Sequence, residues 1–388
     1  MIDIKSQIIK PALNLEDLRV VASAEGWKLT DLHSLGFFLN RNFKYRRKIT
    51  ITEQSGSDLT DYQVLIELNS TNFDFSHAQT NGEDIRFTDA DGNLLDYWIE
   101  EWDAVNEIAK VWVKVPPIPA NSSVEISMFY GNSEITSASD GASTFIRIID
   151  GVVGSWHFDE GSGTTAYDSS GNNNHGTLVN GPTWVDGKFG KALDFDGSND
   201  YVDCGNDPSI ANLTGSLTIS AWIRKDTSGT TKYFVHKGGQ SNEYLDYGIA
   251  ISSAEHPFFG ADITDGLISS CWDPDFEFPL NDWTHFVGVY DGSTRKIFIN
   301  GSELSTTSGS IGNSESSNLN IGRRNDGTGY HDGCIDEVII FNQALTAEEI
   351  SDLYNNYGYT TENYPGKVLV RKYTEPEPSI SIGGEESA

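Results

Sequence analysis

"IGRRNDGTGYHDGCIDEVIIFNQALTAEEI", residues 321–350, is the stretch on which the fold of the larger part of this chain turns. It opens as a polar, turn-rich run, becomes an apolar strand from Ile335 to Phe341, and ends in the first turn of a helix. Thr346 stands three residues before Glu349. At that spacing a threonine hydroxyl caps a helix and a glutamate reaches back to close the box. Asp336 and Glu337 interrupt the apolar run, and a carboxylate there is a solvated outward residue, a metal ligand or a catalytic acid. Strand alternation sends the two to opposite faces.

Working outward, 388 residues are too many for one ordinary core, which predicts two domains with tails. Gly at 38, Tyr at 16, Phe at 19 and Trp at 9, beside 2 Met and 12 Pro, suits aromatic strands joined by turns, so the expected class is all-β. A formal charge of −31 repels nucleic acid and anionic lipid, and it attracts divalent cations or suits saline surroundings. Lys outnumbers Arg by 15 to 11, which argues against an extreme halophile. Cys204, Cys271 and Cys334 lack any CxxC or Cys/His spacing. Zinc is therefore not expected, and either one disulfide with a spare thiol or three buried thiols stays open. No stretch approaches the ~18 apolar residues of a membrane span. The opening "MIDIKSQIIKPALNLEDLRV" scatters charges among its apolar positions, unlike a secretory signal.

Residues 1–43 read as a separate, partly helical segment. Asn14 with Asp17 resembles a helix N-terminus, Leu15, Leu18, Val21 and Ala22 fall at helical spacing, and Gly26 would stop the run. The segment is either a strap on the next domain or an attachment arm that docks onto an assembly. Residues 44–145 read as successive strands, including "YRRKITIT", "YQVLIEL" and a hairpin in "DIRFTDADGNLLDYWIEEW". Asp89, Asp91 and Asn93 mimic the start of a calcium loop, but Gly92 is fourth rather than sixth, so a hairpin turn is expected.

"YRRKITI", "DIRFTDADGNLLDYWIE" and "FYGN" closely resemble an uncharacterised β-sandwich family, domain of unknown function 2341, of archaeal and bacterial surface proteins. The resemblance implies a fold and a setting but no activity. From 146 to 360, "GSWHFDEGSGTTAYDSSGNNNHGTLVNGPTWVDGKFGKALDFDGSNDYVDCG", "LTISAWIR", "WTHFVGVYDGSTRKIFINGSEL" and the opening stretch resemble a concanavalin A-like jelly roll of the laminin G type, in its pentraxin-related branch. Short strands parted by Asp196-Gly197, Asp291-Gly292 and Asn300-Gly301 say the same without the family. Residues 361–388 read as a C-terminal strand and acidic tail that could add an edge to either sandwich.

Three chemistries compete. Asp168, Ser170, Asn172 and Asn174 offer oxygen donors on a glycine-containing loop suited to calcium. The jelly-roll resemblance implies that a structural calcium ties such a loop to the last strand, where Asp336 would be the further ligand. Asp273, Asp275 and Glu277 copy the acid triplet of glucanases that share the fold, yet Pro274 and Pro279 make the stretch a loop, so no catalysis is expected. Trp272, Asn325, Asp326, Tyr330, His331 and Asp332 could supply an aromatic plate and planar polar groups for a sugar from two loops. Trp156, Trp222 and Trp283 are assigned to the core. The expected protein is a non-catalytic adhesion component that binds a glycan or glycoprotein of a cell surface, with structural calcium, as a homo-oligomer or part of a larger assembly. Absence of a signal points to a virion decoration or host-attachment protein. A cellular adhesin or S-layer-associated protein is the alternative, and a glycoside hydrolase the more distant one.

Overall fold

The structure is a computed structural model and describes residues 42–211, 213, 215–238, 245–260, 271–273, 275–309, 311 and 317–388. The segment expected at 1–43 therefore lies, but for Asn42 and Phe43, outside the described residues. The early strands are β1 (Tyr45–Thr52), β2 (Gln63–Asn69), β3 (Arg86–Thr88), β4 (Leu94–Leu95), β5 (Tyr97–Asp103), β6 (Ile108–Lys114) and β7 (Ser123–Tyr130). Next come β8 (Arg147–Asp150), β9 (Val152–Trp156), β10 (Thr165–Ala166), β11 (Gly176–Val179), β12 (Thr183–Asp186), β13 (Lys191–Asp196) and β14 (Tyr201–Asp203). The middle of the chain gives β15 (Leu217–Lys225), β16 (Lys232–Gly238), β17 (Leu245–Ile251), β18 (Pro257–Phe259), β19 (Cys271–Trp272) and β20 (Thr284–Tyr290). The series closes with β21 (Thr294–Ile299), β22 (Ser302–Ser308), β23 (Leu319–Ile321), β24 (Asp332–Phe341), β25 (Tyr357–Tyr359), β26 (Lys367–Arg371) and β27 (Ser379–Ser387). The fold is all-β, as the composition predicts. Among the described residues no helix is long and apolar enough to cross a membrane.

Two compact units result. One takes the described residues up to Thr144 together with Pro376–Ala388, and the other is Phe145–Glu375. The stretch read as a separate 361–388 tail is thus divided between them. In the first unit, β27-β1-β7-β3-β4 faces β2-β6-β5 around Ile49, Ile51, Val64, Ile66, Phe87, Val111, Val113, Ile126 and Met128. Alternation sets this up: in β1 Ile49 and Ile51 are buried and Lys48 is exposed. β27 runs antiparallel to β1 from Ser379 opposite Thr52 to Ser387 opposite Tyr45, and its Ile380 and Ile382 pack on the core. The basic start of β1 meets the acidic end of β27. Arg46 Nη2 lies 2.8 Å from Glu386 Oε2, Arg47 Nη1 donates to Gly383 O at 2.9 Å, and the Tyr130 hydroxyl donates to Glu385 at 2.8 Å. The Asp89 turn is a hairpin closed on itself, with Asp89 Oδ1 accepting the N–H of Asp91 and of Asn93.

In the second unit two large sheets enclose the main core. One is β10-β11-β14-β23-β16-β17-β18-β19; the other is β12-β13-β24-β15-β20-β21-β22, with β9 also on β24. Phe195, Phe234, Ile249, Phe259, Phe286, Ile321, Ile335 and Val338 lie between them. The outer face of the β24 sheet is covered. There Val287, Val289, Phe298, Ile339 and Phe341 pack against Ile350 and Leu353 of the helix Ala347–Asn355 and against Val368 and Val370 of β26. That helix starts with the expected capping box, Thr346 and Glu349 each accepting the other's backbone N–H. The outer face of the β16 sheet carries a small buried patch, Tyr233, Ala250 and Phe258.

The alternation expected for Asp336 and Glu337 is broken by a bulge. β15 pairs Trp222 with Asp336 but Ser220 with Ile339, so Glu337 and Val338 share one partner position, and Glu337 takes φ 50°. Ile335 and Val338 both enter the main core, three residues apart, while Ile339 enters the outer cluster. Both carboxylates consequently lie on the outer side of the sheet.

Candidate functional site

Asp168 is fully buried in the turn between β10 and β11. Its Oδ1 accepts the N–H of Ser155 and of Ser170, each at 2.9 Å, and its Oδ2 accepts the Asn174 N–H and the Ser170 hydroxyl, each at 2.8 Å. Asn172 and Asn174 turn their amide nitrogens to Val153 O, at 3.1 and 2.8 Å. Four protons face the lone pairs that a cation would need, so in this arrangement the residues fit a hydrogen-bonded tie and not calcium. Asp336 has other partners: it accepts the N–H of Lys188 at 2.8 Å, of Phe189 at 3.1 Å and of Glu337 at 2.8 Å, and so anchors the loop after β12. Among the described residues no three His, Cys, Asp or Glu side chains are grouped to hold a metal.

Glu337 belongs to a buried polar relay. Its Oε2 lies 2.8 Å from His157 Nδ1, and His157 Nε2 lies 2.6 Å from the Thr360 hydroxyl, which reaches the Ser155 and Ser169 hydroxyls at 2.9 and 2.6 Å. Burial pushes the Glu337 carboxyl well above the usual range and the His157 imidazole down, so both are driven toward their neutral forms. The order carboxyl, imidazole, hydroxyl is that of acyl-transfer enzymes. Here Thr360 is buried among other hydroxyls, and the relay ties β9, β24 and the turn after β10 to the segment following β25.

The acid triplet is no strand face. Asp273, Asp275 and Glu277 follow β19 in irregular backbone, with the Asp275 N–H donating to Asp273 Oδ1 at 2.8 Å. Trp156 and Trp222 are buried, as expected, whereas Trp283 is only half-buried.

The residues expected to bind a ligand separate into two groups. His331 is fully buried between Phe195 and Phe234, and burial holds its imidazole down at about 3, so it is a neutral core group. Asn325 points inward, donating to Gly238 O and to Asn318 O at 2.8 Å each while its Oδ1 accepts from Asn320. Asp332 opens β24 with its Cβ beneath the Asp196-Gly197 turn. Asp326 and Tyr330 stay on the 323–330 turn, which lies against β16, with Gly329 O accepting the Tyr233 N–H and Arg324 over the Tyr233 ring. Trp272 pairs with Phe258 through the backbone, and its side chain lies outside the described part of the structure.

Beside that turn is a groove of about 400 Å³ lined by Thr231, Tyr233, Ser252, Phe258, Arg324, Thr328 and Gly329. Tyr233 and Phe258 meet edge to face at 5.8 Å and form its floor. Arg324 lies 5.8 Å over the Tyr233 ring, and its Nη1 is 3.3 Å from Asp326 Oδ2. Asp326 Oδ1 accepts the Thr328 hydroxyl at 2.6 Å. Gly329 has φ 61°, and a Cβ there would sit 2.6 Å from the Tyr233 ring, so the wall needs glycine to lie this close to its floor. None of the lining residues was singled out from sequence. Arg324 and Thr328 were visible within the opening stretch, but Tyr233 and Phe258 join them only through strand pairing.

Residues 196–351 match the concanavalin A-like lectin/glucanases superfamily, and residues 81–173 match a domain of unknown function, DUF2341. The second match crosses the division between the units at Thr144. No curated protein matches the chain by sequence. Among solved structures, domain 4 of a GH43 extracellular arabinanase from Geobacillus stearothermophilus, in complex with arabinotriose, is 20% identical with a TM-score of 0.43, over 53% of this chain and 98% of that one. The binding domain of Paraclostridial mosquitocidal protein 1 is 20% identical with a TM-score of 0.43, over 53% of this chain and 52% of that one. The botulinum neurotoxin serotype G binding domain is 16% identical with a TM-score of 0.40, again over 53% and 52%. This chain thus spans about half the length of the two toxin binding domains. Residues 196–351 therefore form a concanavalin A-like lectin/glucanase domain, and it is preceded by a domain of the family of unknown function.

Proposed function

We propose that the unit Phe145–Glu375 is a non-catalytic glycan-binding module whose ligand docks in the groove on the β16 sheet. The observation that carries this is the convergence of two aromatic rings, three hydroxyl side chains and Arg324, itself paired with Asp326, around one space. A sugar presents an apolar C–H face and a rim of hydroxyls that both donate and accept. Tyr233 and Phe258 suit the first, and Thr231, Ser252, Thr328 and the ion pair suit the second. Hydrolysis of a glycoside needs two opposed carboxyl groups, whereas Asp326 at this rim is engaged by Arg324 and Thr328. The setting that goes with this reading is the outside of a cell or virion, where envelope glycans and glycoproteins are met.

The test is retention on a glycan array, repeated with two variants. Thr328→Trp fills the mouth from an exposed position, and Arg324→Gln removes the charge. Both should lose the signal. Retention equal to wild type in both places the ligand elsewhere and defeats the reading.

A further inference from the structure

Arg323 and Arg324 are neighbours in sequence that serve different strands. Arg324 leans over Tyr233 of β16, while the guanidinium of Arg323 sits 3.3 Å from the ring centroid of Tyr201 on β14. β23 separates those strands, so the two tyrosines stand about 10 Å apart across the sheet at the usual strand spacing. Val202 and Val235 both pair with Ile321, which sets Tyr201 level with the start of β16.

The charges of the two arginines are handled differently. Asp326 matches Arg324, but Arg323 makes no ion pair among the described residues, and its buried Nε has no hydrogen-bond partner. In a chain with 57 acidic and 26 basic side chains acceptors are plentiful, yet none of those described pairs with this cation. A guanidinium lying flat on a ring keeps its N–H groups in its own plane, the posture that meets a carboxylate or sulfate with two parallel bonds.

We propose that the ligand of the groove is an acidic oligosaccharide, one unit lying on Tyr233 and Phe258 and the carboxylate or sulfate of a neighbouring unit seated on Arg323 beside Tyr201. This rests on the groove reading and adds the ligand's charge and its minimum length of two units. Calorimetric titration of the full chain with four probes tests it: oligogalacturonate and its methyl ester, and sulfated dextran oligomers and their uncharged parents. The charged member of at least one pair should bind tenfold or more tighter than its neutral match, and which pair responds separates carboxylate from sulfate. Arg323→Gln should bring that ratio toward one, and Arg323→Lys, which keeps the charge but not the fork, should restore part of it. Equal binding within both pairs, a ratio unmoved by Arg323→Gln, or no binding of either charged probe overturns the proposal. The groove reading falls separately, when the Thr328→Trp and Arg324→Gln variants keep full retention on the array.

Discussion

Replacing Asp168 by alanine decides what holds the turn between β10 and β11. The substitution leaves the N–H groups of Ser155, Ser170 and Asn174 without their acceptor at a site where Asp168 is fully buried. An unpaired buried donor costs roughly 1–3 kcal/mol, so three give about 3–9 kcal/mol with no relaxation. Water entering the vacated space recovers part of this, and single-site losses above ~4–5 kcal/mol are exceptional, which sets the expectation near 4 kcal/mol. For a unit of this size ~1 kcal/mol moves the melting midpoint by about 2–4 °C, so the larger unit should melt about 8–16 °C lower. Differential scanning calorimetry with EDTA and with added calcium supplies the second reading. A cation bound only in the folded state at a hundred times its dissociation constant would add ~2.7 kcal/mol, whereas the hydrogen-bonded tie predicts one wild-type midpoint in both buffers. A calcium-dependent rise that Asp168→Ala abolishes, or a variant that melts within 2 °C of wild type (about 1 kcal/mol or less), refutes the reasoning.

Four further outcomes are expected. Gly288→Ala brings a Cβ within 2.2 Å of the buried Phe259 ring and should cost about 1–3 kcal/mol in urea unfolding; an unchanged midpoint would contradict the packing. His331→Phe should flatten the acid limb of the stability curve: the folded imidazole stays neutral down to about 3 while an unfolded one protonates near 6.5, so as pH falls between these values wild type loses ~1.4 kcal/mol per pH unit that the variant keeps. The raised carboxyls of Asp336 and Glu337 act in the opposite sense but equally in both proteins, so the difference between the two curves isolates the histidine. Removing 376–388 should lower the first transition, leave that of Phe145–Glu375 in place, and promote association through the bared edge of β1, as light scattering would register. Removing 1–43, if that segment is the attachment arm its apolar spacing suggests, should leave both transitions intact and abolish oligomers in sedimentation; unchanged oligomers would make it a strap.

Local spacing carried far in this chain, and pairing between distant strands carried the rest. The capping box of Thr346 and Glu349, the Asp89 hairpin and the sandwich class are all short-range patterns, and each was legible. Glu337 was misread because its orientation is set by the register with β15, where Ala221 opposes two residues. His331 and Asn325 sit in a turn that looks exposed in sequence, yet Phe234 beside the one and Gly238 O, a partner of the other, lie on β16, and the second partner, Asn318 O, just precedes β23. The groove needed Tyr233 and Phe258 brought together across β17, which no window of neighbouring residues displays.

The pairing of β1 with β27 gives the first unit an order of events. Its first described strand waits for its last, and the whole of Phe145–Glu375 is threaded between them like a long insertion in a single loop. On a ribosome the larger unit can therefore close its core before the smaller one has β27, and the slow, sequence-distant step comes after it. A chain cut short before Ser379 would carry a folded larger unit beside a sheet whose eight-residue β1 is bared along one side, a template for unwanted pairing that the intact chain covers with β27.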